Sequence, residues 1–133
     1  MRLVFAALGA MLLTTAAAQA DDCANAQDQA TMDKCSAKAF AEADKKLNAD
    51  FREIEKRLGD DAKAKHLLVH AQRAWIAFRD AECAFNASGV DGGSAYPMVY
   101  SECQAALTNQ RVKDFRTYLS CEEGDMSCPV PAQ

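Results

Sequence analysis

All six cysteines, Cys23, Cys35, Cys83, Cys103, Cys121 and Cys128, follow an N-terminal stretch built like an export leader. Arg2 gives a positive start, and Leu3 to Ala18 runs without a charge. Ala18-Gln19-Ala20 has the small-x-small form of a cleavage site, and Asp21-Asp22 ends the apolar stretch. This is the order of regions in a secretory signal. The apolar run is short for a membrane span, which needs about 20 residues. Residues 1–20 are therefore expected to be removed on export, and no lipid anchor is expected because Asp21, not a cysteine, then comes first. An even cysteine count in a small exported chain reads as a disulfide framework. No Cys-x-x-Cys pair supports a structural zinc site instead.

Removing residues 1–20 leaves 113 of 133 residues, enough for one modest core. The 15 basic residues fall to 14 without Arg2, against 19 acidic ones, for a formal charge of −5. That balance opposes nucleic acid, whose phosphates demand Lys and Arg. It suits a basic partner.

Phe40, Asp44, Leu47, Phe51, Ile54 and Leu58 recur at steps of four and three, the spacing of one helix face. Thr31 is the expected N-cap of this helix, and Gly59 its stop. Asp60 or Asp61 is placed to cap a second helix running to about Phe85, with Leu68, Ala71, Trp75 and Phe78 as its inward stripe. Two long helices joined by so short a turn form an antiparallel hairpin. Residues 86–96 are Gly-rich and read as a loop. Pro97 then suits the first turn of a third helix to about Leu119, with Tyr100, Cys103, Leu107, Phe115 and Tyr118 or Leu119 available inward. The expected fold is all-α: a small disulfide-stapled bundle of about three helices over 21–120, followed by an irregular tail, 121–133, held only by its two cysteines.

Six cysteines allow 15 pairings. Chain-local pairing gives Cys23–Cys35, Cys83–Cys103 and Cys121–Cys128. The hairpin offers a competitor, because a turn near residue 60 sets Cys35 opposite Cys83, leaving Cys23 to pair with Cys103 or a tail cysteine. The chain-local scheme is the expected one.

Gln72, Trp75, Arg79 and Cys83 share one face of the second helix. Trp and Arg are favoured interface anchors. The plainer reading makes Trp75 core, Arg79 the partner of a carboxylate such as Asp44, and Cys83 a staple, with Arg111 reaching Asp80. His66 and His70 are spaced to share a metal, but no third histidine exists and Lys63 and Lys65 oppose a cation, so no metal is expected. There is no Gly-x-Ser-x-Gly, and a cysteine in a disulfide is not a thiolate. Nothing points to an enzyme or to a cofactor.

The assembled pieces are Cys23, Cys35, Asp44, Leu47, then Gln72-x-x-Trp75-x-x-x-Arg79-Asp80-x-x-Cys83, Gly92-Gly93-Ser94, Cys103 and Arg111. Over residues 23–119 this resembles the lysozyme inhibitor LprI-type domain of bacterial envelope proteins. The resemblance implies an exported helical domain with four core cysteines, structural roles for Asp44, Leu47, Gln72, Trp75, Arg79, Asp80 and Arg111, and for some members inhibition of host lysozyme. The chain departs from the naming member in lacking a lipid-attachment cysteine and in adding Cys121 and Cys128.

Two functions follow as expectations. The first is a periplasmic or secreted lysozyme inhibitor, its acidic surface steering it to a basic lysozyme. A stapled loop is a preorganised wedge, and Gly92, Gly93, Ser94 and Tyr96 are its partner-binding candidates. The second is a non-enzymatic envelope adaptor that binds another envelope protein.

Overall fold

The computed structural model describes residues 23–133, so the expected leader, 1–20, lies outside the described residues. Helix α1 spans Gln29–Arg57. Its N-cap is Asp28, whose carboxylate accepts a hydrogen bond from the Thr31 N–H at 2.9 Å. Thr31, the expected cap, is therefore the third helical residue. Asp28 wins because its short carboxylate satisfies an orphan N–H from one turn earlier. Hydrogen bonding from the Thr31 side chain, and then from its backbone N–H, holds the Asp28 carboxyl below its ordinary value. Gly59 follows the C-cap Leu58, and Asp61 caps α2, Ala62–Asn86, by accepting from the Ala64 N–H at 2.9 Å. A 3₁₀ turn, Ser88–Val90, leads to α3, Tyr96–Leu119, with Pro97 in its first turn.

The three helices run up, down and up. Asp50 pairs with Arg116 at 3.2 Å, and Gln29 lies beside Met98, so α1 and α3 are parallel. Asp44 meets Arg79, and Gln72 meets Arg111, so α2 is antiparallel to both. The most extensive packing is between α1 and α3. Small buried residues allow this: Ser36 and Ala43 on α1, Ala105 and Thr108 on α3. The α1–α2 hairpin is joined by its short turn, and higher up long side chains of α2 reach across to α1.

The apolar core sits at the end of the bundle that holds the α1–α2 turn. Leu47, Ile54, Leu58, Val112, Phe115 and Val130 are buried there, with Phe51, Leu68, Trp75 and Tyr118 packed around them. Val130 corrects the expectation of a tail held only by cysteines. It is 3% exposed, and burying such a side chain stabilises by about 2 kcal/mol. At the same end Arg57 donates to the Leu119 carbonyl at 2.7 Å, satisfying an orphan acceptor of α3. On α3 the buried line is Gln104, Ala105, Thr108, Val112 and Phe115, turned from the expected Tyr100, Cys103 and Leu107, which are half-buried. A helix covered by two neighbours has no single apolar stripe to read.

Three disulfides join Cys23 to Cys35, Cys83 to Cys103 and Cys121 to Cys128. The first fastens the segment before α1 to its second turn. The second ties α2 to α3 across the loop, and the third closes the tail.

Candidate functional site

Above the apolar core the bundle is filled by a polar cluster. Its centre is Arg79, only 7% exposed. The guanidinium lies 4.9 Å from the Phe40 ring centroid on α1 and 5.3 Å from that of Trp75 on its own helix. Its Nε and Nη2 donate to Asp80 Oδ1 at 2.9 and 2.8 Å, and Nη1 stands 3.8 Å from Asp44 Oδ1. Arginine suits this place because its weakly hydrated planar group stacks on rings while its edge donates. Arg111 mirrors it from α3, 5.9 Å from Trp75 and 4.7 Å from Phe115, with its Nε donating to Gln72 Oε1 at 3.3 Å.

Two expectations change here. Arg111 meets Gln72 rather than Asp80, because Asp80 lies two turns further along antiparallel α2. The α3 partner of Asp80 is Gln104, which donates at 3.0 Å. The inward face of α2 is Gln72, Trp75, Arg79 and Cys83, whereas Phe78 is 55% exposed and Ala71 is exposed. The apolar stripe read from the sequence mixed two faces about 100° apart. The strip weighed as a recognition surface is thus the buried face, holding the bundle together. Gln104 and Thr108 were missed. The readable signal was the polar line Gln104, Thr108, Arg111 at steps of four and three. Thr108 is fully buried, and its Oγ1 has no hydrogen-bond partner among the described residues.

The surface candidate is the loop between α2 and α3. Gly92 has a φ of 71°, in the left-handed region that favours glycine, and a Cβ on Gly93 would meet the Val90 carbonyl oxygen at 3.1 Å. Gly93 N–H donates to that carbonyl, and Tyr96 N–H to the Gly93 carbonyl, so the loop is a chain of tight turns. The two glycines thus have a backbone reason to be here. Ser94 is exposed. Tyr96 is the first residue of α3 rather than part of the loop, and its ring stacks on Tyr100 with centroids 5.7 Å apart. Burial, with the Asp80 carboxylate adding to it, raises the Tyr100 phenol above its ordinary value. The Cys83–Cys103 bridge lies at the root of the loop and fixes where it leaves the bundle.

His66 and His70 are both exposed. Among the described residues no group of three or more His, Cys, Asp or Glu could hold a metal ion. Also among them, no helix is long and apolar enough to cross a membrane.

A family model described as "Lysozyme inhibitor LprI" matches residues 20–115, covering α1, α2, the loop and most of α3. The chain belongs to the LprI lysozyme inhibitor family. The match includes Cys23, Cys35, Cys83 and Cys103, the polar cluster and the tight-turn loop, and leaves out the Cys121–Cys128 tail. This LprI-family protein is also similar to an uncharacterised protein of Rhizobium meliloti (strain 1021). The two are 34% identical over 138 aligned positions, covering 92% of this chain and 99% of the relative. No solved structure matches the chain.

Proposed function

We propose that this LprI-family protein is an exported, periplasmic or secreted inhibitor that sets its α2–α3 loop into the cleft of a basic lysozyme. The observation that carries the reading is a family match to lysozyme inhibitors in a chain whose exposed loop is tethered by the Cys83–Cys103 bridge. A loop already ordered by tight turns and a disulfide loses little conformational freedom on binding. Gly92 and Gly93 let the backbone fold tightly at the tip, and Ser94 offers an exposed hydroxyl to a catalytic carboxylate. Tyr96, stacked on Tyr100, presents its phenol at the base of the loop. The formal charge, −5 once residues 1–20 are removed, steers the encounter with a basic enzyme. No protein group needs to react, so no cofactor enters the reading.

The test is inhibition of a basic animal-type lysozyme by the oxidised protein and by its Ser94→Ala/Tyr96→Ala variant. The reading predicts at least tenfold weaker inhibition by the variant with an unchanged helical signal. Equal inhibition by the two would remove the loop from the mechanism.

A further inference from the structure

Where α1 turns into α2, the bundle is not filled. A half-open cavity of about 200 Å³ lies between that end of the hairpin and the tail. Ile54, Leu58 and Val130 form its buried floor. Leu67, 59% exposed, stands at its rim. The sequence explains the gap. Ala64, Leu68 and Ala71 are the α2 positions turned toward it, at steps of four and three, and two of the three are alanine. The larger side chains of α1 therefore have little opposite them. The tail shuts one side: the Cys121–Cys128 bridge closes the chain before it, and Pro129 and Val130 complete the lining. Protein interiors leave few gaps larger than a water molecule, and this one has room for several.

We infer that this cavity binds one alkyl chain of a single-chain amphiphile, holding about eight of its carbons and leaving the headgroup in water. Polarity excludes water as the occupant. A cavity water needs at least two polar partners, and Tyr118 carries the one polar side-chain atom of the lining. Size sets the length. A dry apolar cavity of about 150 Å³ takes one benzene, six carbons, so one of about 200 Å³ takes about eight. The half-open form lets a chain enter while its head stays hydrated.

The rim excludes a peptide. A peptide brings N–H and C=O groups that cost free energy when they lose water without gaining partners. The side chains of Leu67, Ala71 and Pro129 offer none, and Pro129 lacks even a backbone N–H. An alkyl chain has no such groups to satisfy. The net acidic charge favours a neutral or cationic head over an anionic one. Tyr118, Pro129 and Val130 lie beyond the family match at residues 20–115, so the site depends on the C-terminal extension and not on the family domain alone. It also lies at the opposite end of α2 from the loop assigned to inhibition, and stands independently of that reading.

The experiment is titration of the oxidised protein with n-alkyl maltosides of six to about twelve carbons, below their micelle thresholds. The readout is the methyl NMR shifts of Ile54, Leu58, Leu68 and Val130. Saturable shifts centred on these methyls are expected. Affinity should rise roughly fourfold per methylene and level off near eight carbons. Ala64→Leu fills the space from α2 and should weaken binding of the octyl compound at least tenfold while keeping the parent's helical signal. Leu68→Ala enlarges the space and should move the levelling-off point to about eleven carbons. An unchanged length limit in that variant overturns the location. Parent-like binding by Ala64→Leu overturns it too, even where Leu68→Ala fails to fold. No saturable shift with any chain length overturns the inference, and binding to phosphatidylcholine vesicles in that case assigns the rim to a bilayer surface instead.

Discussion

Replacing Arg79 tests whether the buried strip of α2 is structural. Its side chain is 8% exposed, while those of Asp44 and Asp80 are each 43% exposed. Arg79→Ala therefore leaves no carboxylate stranded away from water, and Asp80 keeps its bond from Gln104. The loss is instead the stacking between Phe40 and Trp75, the charged hydrogen bonds, and the packing of the arginine stem. Stacking is worth about 0.5–1 kcal/mol per ring at a partly wet site, and hydrogen bonds to a charged group about 1.5–3 kcal/mol. Allowing for the solvent that screens the two aspartates, the expected cost is about 3 kcal/mol. At about 4–8 °C per kcal/mol for a domain of this size, the melting temperature falls by roughly 12–24 °C with disulfides intact. Arg79→Met keeps the stem between the rings and lets both aspartates reach water, so it should recover about half of the loss. Urea unfolding of the three proteins, followed by helical circular dichroism, measures the order. A cost below about 1 kcal/mol for the alanine variant, or equal costs for alanine and methionine, would refute the reasoning.

Thr108→Val replaces a buried hydroxyl that has no partner among the described residues by an isosteric methyl, and should raise stability by about 1 kcal/mol in the same assay. Val130→Ala should lower it by about 2 kcal/mol, whereas a tail anchored by its disulfide alone would show no change. The Asp28 carboxyl is held below its ordinary value of 3.8 in the folded chain, so its contribution is full above that value. It is lost as pH falls through the lower folded value. The parent should therefore lose more stability than Asp28→Asn between about pH 5 and pH 2, and parallel urea midpoints for the two would contradict the capping role.

The helix count and the turn at Gly59 were legible because periodicity and capping are local properties of the chain. The inward face of α1 was legible for the same reason: Leu47, Ile54 and Leu58 are apolar on a helix with an otherwise charged surface. On α2 apolarity misled. Phe78 and Ala71 are apolar yet exposed, while Gln72 and Arg79 are polar yet buried, because the upper bundle is filled by stacked guanidinium groups and hydrogen bonds rather than by aliphatic packing. The pairing of Asp80 with Gln104 depends on the stagger between two antiparallel helices, which no short-range pattern encodes. Val130 was missed because a lone valine between two prolines gives no periodic signal. The loop glycines were readable as a turn, but Tyr96 joined α3 because Pro97 sets its first turn immediately afterwards.

The most direct test of the central claim is inhibition of a basic animal-type lysozyme by the oxidised protein at low and at near-physiological salt. Inhibitor function predicts saturable inhibition with a fixed stoichiometry that persists at the higher salt. Inhibition only at low salt would reduce the effect to attraction between an acid and a base. No inhibition at either salt would contradict the claim and turn attention to an envelope adaptor built on the same bundle.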